Sequence, residues 1–336
     1  MSSQDVESTT DTKVYLPLPP PDNLYTENPQ AELTEQEKEA YDTVLGHFTA
    51  SDYKLPGYES SEEGEAAGES EKSEGEGGAE GEKRKWTSEL IEEEKFWLSY
   101  ECILRYLRAS KWKTQVAIQR LESTLKWRRE YGLYDFLTSD LISVEGETGK
   151  GILFGFDVKG RPGFYMIPSR QNTQEGPRQI QFTVWLLERC IDLMPAGVEN
   201  LAILLNFAAK AKNPSMSVSR AVLNILQDHY PERMGVALII NVPFLVNAFF
   251  KLIMPFVDPV TREKVKFNPK VIEDGFVGKE QLMEEWWGGD NDFEYNHEKY
   301  FPELVRMTTE RKERWVAKWK EIGGEIGIKE WEYKRE

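Results

Sequence analysis

The chain has 336 residues, 40% hydrophobic and 12% aromatic, enough for one large domain or two ordinary ones with a sizeable core. Its formal net charge of −16 is uneven: ten Glu and one Lys between Glu59 and Glu82 contribute −9, and the rest of the chain carries −7. That balance excludes the basic footprint of a general nucleic-acid binder, and two cysteines, Cys102 and Cys190, exclude a disulfide scaffold and suit a reducing compartment.

In chain order, residues 1–85 read as a largely disordered acidic tail. The opening MSSQDVESTT has neither a basic nor an apolar region of the secretory kind. Leu16–Pro21 is Pro-rich and expected to be extended, and Thr34 is placed to cap a short helix over Glu35–Phe48. Glu59–Glu82 is built from Glu, Gly, Ser and Ala apart from Lys72, so it cannot offset chain entropy by burial and is expected to be a disordered, solvating spacer. Phosphorylation of its serines, or repulsion from anionic lipid, is the alternative role. Order is expected from near Trp86. Helices over 87–97, 102–108 and 114–131 make a small all-helical subdomain, residues 86–140.

A second domain, residues 141–295, follows. Ile152–Asp157 and Gly163–Ile167 read as strands of a hairpin across the turn signal Lys159-Gly160-Arg161-Pro162. Arg178–Met194 is helical, with Ile180, Val184, Leu187 and Ile191 as its stripe. Leu201–Phe207 is a near-continuous apolar strand of the kind found in a sheet covered on both faces. Ser217–His229 is a helix, Val236–Val242 a buried strand and Val265–Phe267 a short last strand. The alternation predicts an α/β fold with a mostly parallel sheet. Residues 296–336 form a charged helix over His297–Ile322 carrying Tyr300, Phe301, Leu304, Trp315 and Trp319.

Enzyme signatures are missing. There is no Walker loop and no G-x-S-x-G elbow, and Gly149-Lys150-Gly151 leads into a strand where a dinucleotide site would open a helix. The three histidines, His47, His229 and His297, have no metal-ligand spacing, so neither a metal nor a cofactor is expected. A catalytic pair of His229 with Glu232 is the weak alternative, because a lone His at a helix end is usually structural.

The informative block runs from Asn224 to Phe267. After Pro243, the residues Phe244, Leu245, Val246, Ala248, Phe249, Phe250, Leu252, Ile253 and Met254 are apolar nearly all round a helix, which Pro255 ends. Such a helix is either an ordinary core helix or a lid over an apolar cavity, and periodicity alone favours the first. The longest apolar stretch, Val242–Val257, is broken by Asn247, Lys251 and two prolines and falls short of the ~20 residues a spanning helix needs.

With Tyr230-Pro231-Glu232-Arg233-Met234-Gly235 before the apolar helix and Pro255-Phe256-Val257-Asp258-Pro259-Val260-Thr261 after it, this block resembles the CRAL-TRIO lipid-binding family, in particular its fungal phosphatidylinositol transfer proteins. Ile239-Ile240-Asn241 carries the likeness too. So do Leu104-Arg105-Tyr106-Leu107-Arg108-Ala109, Leu125-Lys126-Trp127-Arg128-Arg129-Glu130, Gly160-Arg161-Pro162 and Trp287-Gly288-Gly289. The coverage is about residues 88–305, in the family's order. Gln171-Asn172-Thr173, Asp192-Leu193-Met194-Pro195 and Phe293-Glu294-Tyr295-Asn296-His297-Glu298-Lys299-Tyr300 point to the branch associated with drug resistance and sterol homeostasis.

The resemblance implies the CRAL-TRIO fold: a sheet-floored pocket for one lipid, closed by the Pro243–Pro255 helix with Phe244, Phe249, Phe250 and Ile253 on the lid. Family inositol-phosphate contacts fall on Glu232, Arg233, Thr261 and Lys264, where Lys264 meets phosphate as a point charge and Glu232 accepts from hydroxyls and pairs with Lys264. For each residue the competing reading is a surface ion pair, worth little. Where members carry a basic residue in the N-terminal motif, this chain has Ser110, leaving Arg108 and Lys111 as the nearby cations. Phosphatidylcholine-binding members set a Tyr and three hydroxyl side chains around the choline phosphate; here the corresponding pocket-lining positions are Phe164, Leu201, Ile203 and Leu226. A phosphate facing them would lose its hydrogen bonds, about 1–3 kcal/mol for each unsatisfied group. The expected function is therefore non-enzymatic transfer or presentation of phosphatidylinositol, with poor phosphatidylcholine binding and a sterol or similar apolar lipid as second ligand. Expected partners are a transiently contacted membrane surface and a phosphoinositide kinase, in a cytoplasmic setting. The competing function is a protein-interaction module with a vestigial pocket.

Overall fold

The computed structural model of the chain describes residues 13–21, 24–59, 85–208, 216–254 and 259–335. Thr34 opens α1 (Glu35–Thr49) through a reciprocal capping box: its hydroxyl accepts from the Glu37 amide (3.3 Å), and Glu37 Oε2 accepts from the Thr34 amide (2.9 Å). Ala40, Tyr41, Val44 and Phe48 line the inner face of α1. They pack with side chains of α2 (Glu92–Trp97), α3 (Tyr100–Ala109) and α4 (Thr114–Glu130), including Ile103, Leu107, Leu121 and Leu125. The short helix that Thr34 is placed to cap is formed, and because its apolar stripe is buried against α3 and α4, order begins well before Trp86.

A second part of the expected tail is also placed. Val14 bridges Phe293, its amide donating to Asp292 O and its carbonyl accepting from Glu294 N, both at 2.9 Å. Further on, Leu24 lies against Gly160 and Pro29 against Gly197, so this segment straps the back of the α/β domain before reaching α1. The acidic tract lies outside the described residues apart from Glu59, whose carbonyl accepts from Ser88 N at 2.8 Å.

Among the described residues, five strands lie in sequence order: β1 (Gly151–Phe156), β2 (Pro162–Met166), β3 (Leu201–Asn206), β4 (Met234–Ile240) and β5 (Val265–Phe267). β1 and β2 form the expected antiparallel hairpin, and the other neighbours pair in parallel. The hairpin turn is held by Asp157, whose Oδ1 accepts from the amides of Lys159 and Arg161 at 2.9 Å. The outer edge of β1 is covered. Tyr300 of α10 (His297–Glu321) donates its hydroxyl to Leu153 O and accepts from Leu153 N, both at 2.7 Å. Gly155, at φ +62°, brings its Cα against the Gln281 carbonyl, where any Cβ would collide with backbone.

The two faces of the sheet differ, and that difference makes room for a site. Tyr165, Leu204 and Leu238 are aligned across β2–β4 and fully buried, with Tyr165 edge-on to Trp287. The opposite face carries Phe164, Ile203 and Ala237, then Met166, Leu205, Ile239 and Phe267. α6 (Pro177–Asp192) lies on the β1–β2 half of that face, with Phe182 and Leu186 against Gly151. α7 (Met216–His229) stands against α4 and α6. Met166, Ile203, Leu205 and Phe207 are consequently only half-buried, and Phe267 is 40% exposed. The expectation of a sheet covered on both faces holds for one face; on the other, Ala237 and Ile239 of β4 are buried, and the residues around them form a partly open apolar surface. α8 (Phe244–Ile253) brings Phe250 over it, 5.3 Å from the Phe267 ring and 6.3 Å from Phe207. Three short helices, α5 (Ser139–Gly146), α9 (Pro259–Glu263) and α11 (Glu330–Lys334), go beyond the sequence reading.

Candidate functional site

The turn between α7 and β4 carries two of the candidate headgroup residues, Glu232 and Arg233. Glu232 takes a left-handed φ of +58°, a conformation that costs about 1–2 kcal/mol for a side chain with a Cβ. Its carboxylate is exposed and accepts from Arg108 Nε at 2.5 Å. Arg108 also reaches Glu199 Oε2 (3.2 Å), which Arg105 Nη1 shares at 3.0 Å. The expected pairing of Glu232 with Lys264 is thus corrected. Lys264 Nζ instead donates to Met234 O at 3.0 Å, which sets the ammonium beside the same turn, two residues from Glu232. α9 delivers it there: Lys264 N donates to Thr261 O (3.2 Å), and Lys264 O accepts from Ala237 N (2.9 Å) on β4. Glu232 and the Lys264 ammonium therefore lie at the amino-terminal end of β4, with Arg108 contributed by α3, and Thr261 adjoins them through its carbonyl on Lys264 N.

Arg233 stands apart from that group. It is buried, and its Nη1 donates to Glu199 O at 2.7 Å, on the inner side of the turn. Burial, and then repulsion from Arg105, pull its pKa below the usual value. A guanidinium committed to a backbone carbonyl holds the turn, and we leave Arg233 out of the proposed headgroup set. Lys111 takes a φ of +52° in the α3–α4 loop, and Ser110, where members carry a cation, is buried.

The apolar positions divide by depth. Phe164 lies directly beside Ile203 across β2 and β3, and Leu201 is two residues earlier on β3. Phe164 and Leu201 are buried, whereas Ile203 and Leu226 of α7 are half-buried. On α8, Phe244 is 84% exposed beside the Pro243 cap, while Phe250 reaches the sheet. The side chains of Phe249 and Ile253, and Pro255, lie outside the described residues.

His229 is locked in place by packing and hydrogen bonds. Its ring stacks on Trp127 (4.2 Å between centroids, 7° between planes), its Nδ1 meets Thr124 Oγ1 at 3.1 Å, and its carbonyl accepts from Tyr106 Oη at 2.9 Å. This is the structural histidine expected at a helix end. Burial, with a smaller contribution from the cations Arg120 and Arg128, lowers its pKa from 6.5 to about 4. Between those two values the unfolded chain binds a proton that the folded chain refuses, so stability is complete above pH 6.5 and declines as pH falls toward 4. His229→Phe, which keeps the stack, is expected to flatten the profile of melting temperature between pH 4 and 6.5. An unchanged profile would assign the acid sensitivity elsewhere.

Sequence reasoning missed Glu199, the node between Arg105 and Arg108, because an acid in a loop carries no periodic signal. It also missed the Arg108–Glu232 pair, whose partners are 124 positions apart.

Comparison with known proteins places this geometry in context. The CRAL/TRIO domain model matches residues 146–289, and the CRAL/TRIO N-terminal domain model matches residues 40–123, beginning inside α1. The chain is 37% identical over 316 residues to the phosphatidylinositol transfer protein PDR17 of Saccharomyces cerevisiae, covering 90% of this chain and 84% of that protein. It is 50% identical over 249 residues to a CRAL-TRIO domain-containing protein of Schizosaccharomyces pombe, covering 74% of this chain but only 24% of that longer protein. The crystal structure of Sfh5 shares the fold, with a TM-score of 0.51 at 18% identity over 80% of this chain and 92% of that one.

Proposed function

The chain belongs to the CRAL/TRIO family, and from that premise we propose that it carries one phosphatidylinositol molecule, headgroup at the β4 turn and acyl chains over the open half of the sheet. Family members are lipid transfer proteins and generally not enzymes. The observation that carries the reading is the half-buried apolar row Met166, Ile203, Leu205 and Phe207, roofed at one point by Phe250 and ending near a cluster of opposite charges. Each acyl CH₂ removed from water contributes about 0.8 kcal/mol, so an apolar surface of this kind suits hydrocarbon. Arg108 and Lys264 suit the phosphate, and Glu232 and Thr261 suit the inositol hydroxyls.

Phe164, Leu201, Ile203 and Leu226 offer a choline phosphate no hydroxyl donor. The same positions suit a sterol or similar apolar lipid as the second ligand. Exchange of the purified protein against vesicles containing phosphatidylinositol, phosphatidylcholine and sterol, followed by extraction, is expected to recover phosphatidylinositol in clear excess over phosphatidylcholine. Equal recovery of the two phospholipids would overturn the selectivity.

Uptake also requires contact with a bilayer. In a chain of net charge −16, residues 241–270 carry Lys251, Arg262, Lys264, Lys266 and Lys270 against Asp258 and Glu263. Lys251, Arg262, Lys266 and Lys270 are exposed alongside Phe244 and Phe267. Exposed aromatics in a segment rich in exposed cations fit a transient, peripheral contact with an anionic surface. Transfer is expected to quicken as anionic lipid is added to the vesicles, and indifference to lipid charge would remove this contact. Among the described residues, no helix is long and apolar enough to cross a membrane. Presentation of the lipid to a phosphoinositide kinase in the cytoplasm completes the proposed role.

A further inference from the structure

The turn bearing Glu232 is held from almost every side by the rest of the molecule. Tyr230 donates its hydroxyl to Glu188 Oε1 on α6 at 2.7 Å. The same Glu188 carboxylate is gripped by both terminal nitrogens of Arg128 from α4, at 2.9 and 3.1 Å, and Arg128 Nε donates to Tyr134 Oη at 2.9 Å. Burial opposes ionisation of Glu188, but Arg128 and the Tyr230 hydroxyl outweigh it and bring its pKa down to about 2. The carboxylate is thus a fixed anion near neutral pH. One residue earlier, His229 is pinned through its ring and its carbonyl by Trp127, Thr124 and Tyr106. One residue after Glu232, Arg233 is tied to Glu199 O, and its own carbonyl accepts from Leu201 N at 2.9 Å. Only Glu232 itself, in a left-handed conformation, presents its side chain outward.

A non-glycine residue persists in that conformation when its surroundings over-determine it, and such residues concentrate at functional sites. The surroundings here come from α3, α4 and α6, through Tyr106, Trp127 with Thr124, and Glu188. We propose that the Tyr230–Glu188–Arg128 chain, with the Tyr106 hydroxyl, is a positioning device through which the helical subdomain fixes the Glu232 carboxylate for the inositol headgroup. Tyr230 and Tyr106 are thereby positioning residues: each acts through Glu232. This rests on the headgroup reading of the site, and the test separates the two.

The test measures phosphatidylinositol transfer between vesicles, with melting temperatures in parallel, for the full chain and for Tyr230→Phe, Glu232→Ala and the double variant. Glu232→Ala and Tyr230→Phe are each expected to lower transfer about tenfold, the scale of one hydrogen bond to a charged group. The double variant is expected to match Glu232→Ala alone, because a positioning residue has nothing left to position. Tyr106→Phe, acting on the same turn through the His229 carbonyl, is expected to behave as Tyr230→Phe does and serves in its place should that variant fail to fold. Tyr300→Phe removes an equally buried phenol from the edge of β1 and is expected to lower the melting temperature while transfer stays within twofold.

Losses that multiply in the double variant would overturn the proposal, as would full transfer by Tyr230→Phe or an equal loss in Tyr300→Phe. Full transfer by Glu232→Ala would overturn the headgroup reading itself, and the positioning device with it.

Discussion

The variant Glu232→Ala with Lys264→Ala is expected to transfer phosphatidylinositol about a hundredfold more slowly than the parent chain, while binding of an apolar ligand such as sterol persists. Two charged partners of the headgroup are lost together, and hydrogen bonds to charged groups contribute about 1.5–3 kcal/mol each. The fold should tolerate the change. Glu232 is exposed and Lys264 half-buried, and Lys264 gives up a single hydrogen bond, to Met234 O. Glu232→Ala leaves Arg108 paired with Glu199, so no buried cation is stranded. A vesicle-to-vesicle transfer assay decides the matter, and undiminished transfer by the folded double variant would remove both residues from the site.

The second large effect lies in the helical subdomain. Arg129 and Glu94 form a fully buried pair, Nε to Oε1 and Nη2 to Oε2, both at 2.6 Å. The same guanidinium donates to Thr87 O at 2.6 Å and to Glu89 O at 2.8 Å, fastening residues 87–94 onto α4. Arg129→Met is expected to cost about 3–5 kcal/mol in urea unfolding, because it leaves the buried Glu94 carboxylate with no cation and only the Ile91 amide (3.0 Å) as partner. Replacing Glu94 by Met as well is expected to recover part of that loss, since the stranded charge goes with it. A single-variant cost below about 1 kcal/mol would show that the segment relaxes and lets water reach Glu94.

Much of the architecture was legible along the chain, and the reasons are local. Thr34 announced a helix start, and Gly160-Arg161-Pro162 between two apolar runs announced the hairpin. The parallel strands β3 and β4 stood out as apolar runs alternating with helices. What stayed hidden depends on distant partners. The strap through Val14, Leu24 and Pro29 works by single residues meeting Phe293, Gly160 and Gly197, and no periodicity marks such contacts. α5 is eight residues long, and α9 and α11 are five each, too short for a stripe to declare itself. At the site, the motif around Tyr230-Pro231-Glu232 located the turn, but only the folded chain gives Glu232 to Arg108 and turns Arg233 inward. The half-open face of the sheet was equally hidden, because β3 is apolar on both sides and exposure there is decided by where α7 and α8 stand.

The central claim is that the open half of the sheet takes up the tails of an inositol lipid. Native mass spectrometry of the purified chain, after exposure to vesicles of phosphatidylinositol and phosphatidylcholine, tests it most directly. The account predicts a single added mass of one phosphatidylinositol per chain; a chain that stays bare, or that takes up phosphatidylcholine as readily, would contradict it.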